Sequence, residues 1–222
     1  LVMTLGQLWL AAQVQDQTAA DASVSQFRGL LDLKSRALGA SVSDSAYWDD
    51  AIDAVLVRRD LAWWQENSGA YALTTFDLSQ SLAVGKRVYL WALPDETRED
   101  LPRNVLPPAL RAMIDATLAL PSQPADQPFA LTGLVELDGA IHLVAISPYR
   151  DETDNAFAAV DPTAVLIFTQ SIEQKLLPQL REIMGVPGFA LHDTAAALST
   201  ATSRGVARQP LTLFGTGREP VL

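Results

Sequence analysis

The chain has 222 residues and no cysteine, and its 26 acidic against 16 basic side chains give a formal net charge of −10. The acidic balance argues against a nucleic-acid partner, because binding to phosphates requires a basic surface. The lack of cysteine excludes disulfides, thiolate metal sites and thiol nucleophiles, and the two histidines, 50 positions apart, disfavour a histidine metal site. Composition therefore leaves an acidic folded domain with no obvious catalytic equipment. We expect no catalytic residue, no metal and no cofactor.

The first twelve residues are mostly apolar, but a run of this length is shorter than the roughly 20 residues that span a bilayer. No basic segment precedes the run, as it would in a signal peptide. Residues 1–12 are therefore either the membrane-proximal end of a transmembrane helix, with Trp9 near the lipid–water boundary, or the start of a helix that packs on the core or on a second subunit. The chain ends in a strand pattern over 210–222, so we expect the sequence to be a fragment of a longer protein.

Residues 13 to about 40 are expected to form one long helix, since they contain no proline and one interior glycine, Gly29. Apolar residues in this segment recur at steps of three, four and seven, which is typical of one helix face with heptad character. These residues are Val24, Phe27, Leu31 and Leu38, followed by Val42. Such a face needs a partner, which is either the core of the same domain or the same helix of a second subunit.

Two further helical segments are expected. The first, over residues 44–57, continues the helical pattern, either without interruption or as a new helix that Asp44 caps after a break near Ser41–Ser43. Its apolar face is predicted to consist of Trp48, Ile52, Val55 and Leu56. The second short helix is predicted from Asp60 to Asn67 and is expected to end at the following glycine.

From residue 74 onward the pattern is that of strands and turns. Strands are predicted over 74–84, 87–91, 130–137, 140–148, 164–169, 189–193 and in the 210s. Hairpin turns are expected at Gly85-Lys86 and Asp138-Gly139. Helices are predicted over 107–120 and over 171–183 with Ser171 as cap, a charged loop over 94–102, a linker over 121–128 and a turn over 185–188. This order predicts an α+β domain with a central antiparallel sheet and helices to one side.

Five aspartates and three of the five tryptophans fall within residues 44–64. The acids are either solvated helix residues, or one or two of them face a pocket and bind a cationic or hydroxyl group of a ligand. The tryptophans either fill the core or cover that pocket. The sequence contains no calcium-loop spacing, serine-nucleophile motif or phosphate loop. His142 and His192 are expected to be ordinary strand and loop residues.

The order of these features resembles a known family. A long helix leads into Asp44-x-x-Tyr47-Trp48-Asp49-Asp50, then into a short helix that ends Trp64-Gln65-Glu66-Asn67, and then into a hairpin. The later hairpin at Leu137-Asp138-Gly139, with its return strand through Ser147-Pro148, continues the similarity. The chain is therefore similar to the CHASE4 family of extracytoplasmic sensor domains over roughly residues 20 to 215. It departs from the family at its first hairpin, where Ala83-Val84-Gly85-Lys86 stands in place of an Asp-x-x-Gly turn.

The resemblance implies a PAS-like or Cache-like fold, in which a long N-terminal helix precedes an antiparallel sheet with flanking helices. It implies that residues 13–222 form a single sensor domain between two transmembrane helices, in the periplasmic or extracytoplasmic portion of a cytoplasmic (inner) membrane protein. Family members report to a cytoplasmic histidine kinase, diguanylate cyclase or cyclic-di-GMP phosphodiesterase. The present chain would then be the non-enzymatic input half of such a receptor.

A small-molecule ligand of unknown identity is expected between the sheet and the tryptophan-bearing helices. The predicted ligand-binding residues are Tyr47, Trp48, Asp49, Asp50, Trp64 and Asn67. We also expect a homodimer through the N-terminal helix. Two alternatives stay open: a protein-interaction or dimerisation module with no small ligand, and a carboxylate-dependent hydrolase that uses Asp49 or Asp50.

Overall fold

The computed structural model of the protein describes residues 2–121, 129–152, 156–184 and 211–215. Its first element is a single helix, α1, from Val2 to Ala46. At 1.5 Å per residue, its 45 residues extend about 67 Å. The prediction of a long N-terminal helix is therefore confirmed.

Of the two alternatives for this segment, the break near Ser41–Ser43 is wrong. Helix α1 continues to Ala46 because its last turns pack against the body of the domain: Ser43 is buried, and its hydroxyl accepts a hydrogen bond from the Phe129 N–H at 2.8 Å. Asp44 lies inside the helix and caps nothing. The chain leaves the helix after Ala46, and the backbone of Trp48, two residues further on, is extended.

Helix α1 has an exposed N-terminal part and a packed C-terminal part. Among the described side chains between residues 14 and 26, none is buried, and Val14 is 61% exposed. From Phe27 onward the apolar face packs on the sheet: Phe27, Leu38 and Val42 are buried and Leu31 is half-buried. This part of the apolar face therefore has the core of its own domain as its partner.

Short helices connect α1 to the sheet. Helix α2 (Asp49–Ala51) passes into a π-helical segment (Ile52–Arg58) and is followed by α3 (Leu61–Asn67) and α4 (Ala70–Thr75). Asp60 caps α3, because its carboxylate accepts the Trp63 N–H at 3.0 Å. Helix α3 confirms the predicted second short helix. Helix α4 occupies part of the segment predicted as the first strand.

The sheet has six strands in the order β3-β2-β1-β6-β5-β4, and all neighbouring pairs are antiparallel. The strands are β1 (Gln80–Val84), β2 (Arg87–Ala92), β3 (Thr97–Pro102), β4 (Leu131–Leu137), β5 (Ala140–Pro148) and β6 (Val165–Ser171). The α+β prediction with an antiparallel sheet is confirmed, as are both hairpins.

Strand β3 corrects the prediction of a charged loop over 94–102. It pairs with β2 at the edge of the sheet, and most of its side chains are exposed. Charged residues on an edge strand discourage pairing with other chains, but they also hide the alternation by which a strand is predicted. In the 210s, Leu213 forms a single parallel bridge with Leu134. The predicted turn at 185–188 and strand at 189–193 lie outside the described residues, as does most of the 121–128 linker.

Helices cover both faces of the sheet, whereas the sequence predicted them on one side. The first face carries Leu166 and Phe168 and packs against α1 and the short helices. The second carries Ile146 and Ile167 and packs against α5 (Pro108–Leu118), which a 3₁₀ turn (Arg103–Val105) precedes. Beyond β6, the Ser171 hydroxyl accepts the Gln174 N–H, which confirms the predicted cap. A π-helical segment (Ile172–Leu176) and α6 (Leu177–Met184) follow this cap.

Alanine substitutions at two glycines that have no neighbouring atoms measure how backbone conformation affects stability, without a contribution from new side-chain contacts. A Cβ added at Gly29 or at Gly139 would meet no atom within 4 Å, but Gly139 has φ +79° and Gly29 is inside α1. We expect Gly139→Ala to cost about 1–2 kcal/mol of unfolding free energy because of left-handed strain. Gly29→Ala should add about 0.5–1 kcal/mol through its helix preference. Urea unfolding measures both, and a change of the same sign in the two variants would contradict this account.

Candidate functional site

The junction between α1 and α2 contains four of the predicted ligand-binding residues, and two of them, Tyr47 and Asp49, are tied to the loop that follows β5. The Tyr47 hydroxyl donates to the Glu152 carbonyl at 3.1 Å, and the Asp49 carboxylate accepts the Glu152 N–H at 3.0 Å. Next to them, the Arg150 N–H donates to the Ala46 carbonyl at 3.2 Å. These bonds hold the C-terminal end of α1 against the sheet.

Arg150 lies beneath this junction and is only 2% exposed. Its guanidinium carbon lies 5.0 Å from the centroid of the Tyr47 ring and 4.9 Å from that of Phe129, which is cation–π geometry on both sides. Burial lowers the pKa of Arg150 from its ordinary value, and the interaction with Tyr47 opposes this change. Sequence reasoning missed Arg150, because its aromatic neighbours come from the residue that follows α1 and from the segment before β4.

Trp48 and Asp50 are exposed at the same junction, and the exposed fraction of Trp48 is 39%. The prediction that Trp48 shares an apolar face with Ile52, Val55 and Leu56 is therefore wrong. Trp48 precedes the helix in extended conformation, and the π-helical turn that follows changes the spacing of the face. Val55 and Leu56 are buried without it.

Trp64 and Asn67 lie on α3 and have other partners. Trp64 is fully buried in the core, whereas Trp63 is half-buried, so the two adjacent tryptophans point in different directions. In the described part of the chain, the Trp64 Nε1 has no hydrogen-bond partner. Asn67 donates from its side chain to the Trp63 carbonyl at 2.8 Å. Of the six predicted residues, hydrogen bonds to a shared partner link only Tyr47 and Asp49.

A buried aspartate that sequence reasoning missed joins two connections at one end of the sheet. Asp161 is 3% exposed and accepts hydrogen bonds from the Tyr89 hydroxyl, the Lys86 N–H, and both the N–H and the hydroxyl of Thr163. Burial by itself would raise the pKa of Asp161, but the hydrogen bonds outweigh burial and hold the pKa below its ordinary value. A Cβ at Gly85 would collide with this carboxylate.

A cavity of about 300 Å³ lies between α1, strands β4 and β5, and the segment around Leu211. Its volume is at the lower limit of the roughly 300–1,000 Å³ typical of small-molecule sites. Its walls consist of Phe27, Arg28, Leu31, Asp32, Ser35, Gly133, Leu134, Leu143, Leu211 and Thr212. None of the six predicted ligand-binding residues lines it.

Polar contacts connect the cavity wall to the sheet and to α1. The Ser35 hydroxyl donates to the Thr132 hydroxyl at 2.7 Å, and Asp32 forms an ion pair with Arg36 one turn along α1. The sequence signal for this cavity was the apolar helix face, which correctly indicated a packing surface. The pattern of one helix could not show that its packing on β4 and β5 leaves a gap.

The hydrolase alternative has little support in this geometry. Asp49 accepts a backbone N–H, and Asp50 is exposed. His142 is buried in β5, and burial lowers its pKa from the ordinary value. No group of three His, Asp or Glu residues suited to a metal ion occurs within the described ranges. Across the same ranges, no helix combines the length and the apolar character required to cross a bilayer.

Comparison with known proteins identifies the family. The model of the CHASE4 domain family matches residues 30–188, which is more than half of the chain. A search of curated proteins finds no match. CHASE4 domains are sensory domains of membrane signalling proteins; they lie outside the cytoplasm and are not catalytic. The chain belongs to the CHASE4 domain family.

Proposed function

We propose that this chain is the extracytoplasmic input domain of a transmembrane receptor, and that it binds a small molecule in the cavity between α1 and the sheet. The observation that carries the proposal is that α1 supplies half of the cavity wall. A ligand in this cavity would touch the long helix directly. Family membership supports the sensory role, and the cavity supports a small molecule as the signal.

The packing of helix α1 suits it to carry a movement from the cavity along its length. Its packed part begins at Phe27, and the described side chains before that point are not buried, so the N-terminal part is free to move with the rest of the helix. A ligand shifts the equilibrium between two positions of α1 only when it binds the two conformations with different affinity. Helix displacements in switching proteins are typically about 1–2 Å. A ligand that changes how Phe27 and Leu31 pack would change the position of the whole N-terminal half.

The junction at Tyr47 and Asp49 has a complementary role in this proposal. Its hydrogen bonds to Glu152 fix one end of α1, and the cavity acts on the middle of the helix. The junction would therefore be the pivot for a change at the cavity. Direct contact of Tyr47, Trp48, Asp49, Asp50, Trp64 and Asn67 with the ligand stays a prediction. If Asp49→Asn and Asp50→Asn leave ligand stabilisation unchanged, these two acids are not ligand contacts.

The partners of the whole receptor are part of the same proposal. The output would be a cytoplasmic histidine kinase, diguanylate cyclase or cyclic-di-GMP phosphodiesterase. A homodimer would form through the N-terminal helix, along the part before Phe27, because the later apolar residues are buried in the domain's own core. Analytical ultracentrifugation tests the dimer, and a monomer at high protein concentration would count against it.

The experiment has two steps. First, a thermal-shift screen of amino acids, organic acids, polyamines and sugars is expected to find a compound that raises the melting temperature by mass action. Leu31→Phe, which fills the cavity from α1, should abolish that rise. Leu33→Phe is the matched control, because Leu33 is 58% exposed and does not line the cavity. If no compound raises the melting temperature, the proposal of a small-molecule ligand is overturned in favour of a protein-interaction module.

The second step measures the movement of α1. The absence of native cysteine allows spin labels to be placed at chosen sites. With Ala19→Cys on α1 and Glu99→Cys on β3, the compound is expected to change the label distance by about 1–2 Å or more. The control pair, Glu99→Cys and Ala112→Cys on α5, should not change. An unchanged distance in the first pair would overturn the transmitter role of α1.

A further inference from the structure

The charge balance of α1 beside the cavity differs in sign from that of the chain as a whole. The protein has a net charge of −10, yet the cavity wall includes Arg28, whose side chain is exposed at the mouth. Among the described residues, the Arg28 side chain has no hydrogen bond and no ion pair. It is therefore available to a ligand.

The one acid in the wall already has a partner. Asp32 is paired with Arg36, and both side chains are exposed. Between residues 28 and 36, α1 carries three basic residues and one acid, Arg28, Lys34, Arg36 and Asp32, which leave two positive charges in excess along this part of the helix. A cationic ligand would meet that excess charge and would compete with Arg36 for Asp32. The electrostatics of the mouth thus favour an anion.

The interior of the cavity is apolar. Leu31, Leu134 and Leu143 contribute side chains to its wall, together with Phe27 and Leu211. The removal of apolar surface from water favours a ligand whose body is a hydrocarbon group. The volume of about 300 Å³ limits the ligand to the size of a small organic molecule.

From the charge of the mouth and the character of the interior, we propose that the ligand is a small carboxylic acid with an apolar body. Its carboxylate would pair with the Arg28 guanidinium, which matches a carboxylate with two parallel hydrogen bonds. Its body would contact the leucines of the wall. This inference rests on the proposed function and adds the chemical class of the ligand and the residue that recognises it.

The test uses pairs of compounds with the same shape and different charge. Phenylacetate and hexanoate are titrated into the 222-residue chain by calorimetry, next to the neutral phenylacetamide and hexanol and the cation hexylamine. We expect the acids to bind at least about tenfold more tightly than the neutral compounds, since hydrogen bonds to charged groups are the stronger ones. Neutral or cationic compounds that bind as tightly as the acids would overturn the proposal.

Variants of Arg28 complete the test. Arg28→Gln should weaken binding of the acids about tenfold and leave the melting temperature of the free protein unchanged, because this exposed side chain has no described partner. Arg28→Lys keeps the charge and loses the geometry for two parallel hydrogen bonds. Its affinity for the acids should therefore lie between those of wild type and Arg28→Gln. Arg87→Gln removes the same charge from β2 and should have no effect on binding. Equal affinity for the acids in wild type and Arg28→Gln would refute the role of Arg28.

The outcomes distinguish failure of the carboxylate proposal from failure of the proposed small-molecule function. If a compound of another charge class binds, and Leu31→Phe abolishes its binding, the carboxylate assignment is wrong and the small-molecule function is retained. If no compound of any class binds, both are wrong.

Discussion

Replacement of Trp64 by alanine is expected to lower the free energy of unfolding by about 3–5 kcal/mol, the largest effect of any single substitution proposed for this protein. Trp64 is fully buried in the core between α3 and the sheet, where loss of the indole leaves a cavity that its neighbours can fill only in part. Urea denaturation followed by circular dichroism measures the change.

Two variants control for this result. Trp63→Ala removes the same side chain from the neighbouring half-buried position and should cost clearly less. Trp64→Phe keeps an aromatic ring and removes a buried N–H that has no partner among the described residues, so its cost should be well below that of alanine. It also gives a measurable value if Trp64→Ala fails to fold. Similar costs for Trp63→Ala and Trp64→Ala would contradict the burial assigned to Trp64.

Replacement of Asp161 by alanine is expected to cost about 3 kcal/mol at pH 7. The substitution removes the acceptor of the Tyr89 hydroxyl, the Lys86 N–H and the Thr163 groups. A fully buried donor left without a partner costs about 1–3 kcal/mol. The bond from Tyr89 is buried, whereas the bonds from Lys86 and Thr163 are partly buried, so their loss adds less. Chemical unfolding measures the loss. Asp100→Asn is the control, because Asp100 forms an exposed ion pair with Arg87, and such pairs contribute about 0–1 kcal/mol.

The pH dependence of stability gives a second readout for Asp161. Its pKa is lower in the folded state than the roughly 3.9 of an unfolded aspartate, so the folded state holds the proton less tightly. The stabilisation is therefore complete above about pH 5 and is lost as the pH falls through 3.9 toward the folded pKa. Asp161→Asn should remove this part of the acid sensitivity. Parallel loss of stability in both proteins between pH 5 and pH 3 would contradict the assignment.

Elements that depend on neighbouring residues were predicted well. The hairpin at Asp138-Gly139 has the two positive φ angles that this dipeptide favours, and Ser171 caps the segment after β6. The long helix, α3, α5 and the antiparallel sheet also follow from local patterns. The family was recognisable because its most specific feature, Tyr47-Trp48-Asp49-Asp50, is contiguous in the chain.

The candidate site was predicted only in part. Tyr47 and Asp49 do meet, but through the backbone of Glu152, which lies more than 100 positions further along the chain. Trp48 looked like a core residue by its spacing, and the π-helical turn after it changed that spacing. Arg150 and Asp161 gave no local signal, since an isolated charged residue in a loop normally lies in solvent.

The sequence by itself determined the α+β class, the long helix, the hairpins and the family, because these depend on patterns within one stretch of chain. Only the tertiary structure decided where α1 ends, which tryptophan is buried and where the cavity lies. Ser35 reaches Thr132 across 97 positions, and Lys86 reaches Asp161 across 75. Contacts over such separations arise from the packing of whole elements, and both the cavity beside Arg28 and the buried carboxylate of Asp161 are products of that packing.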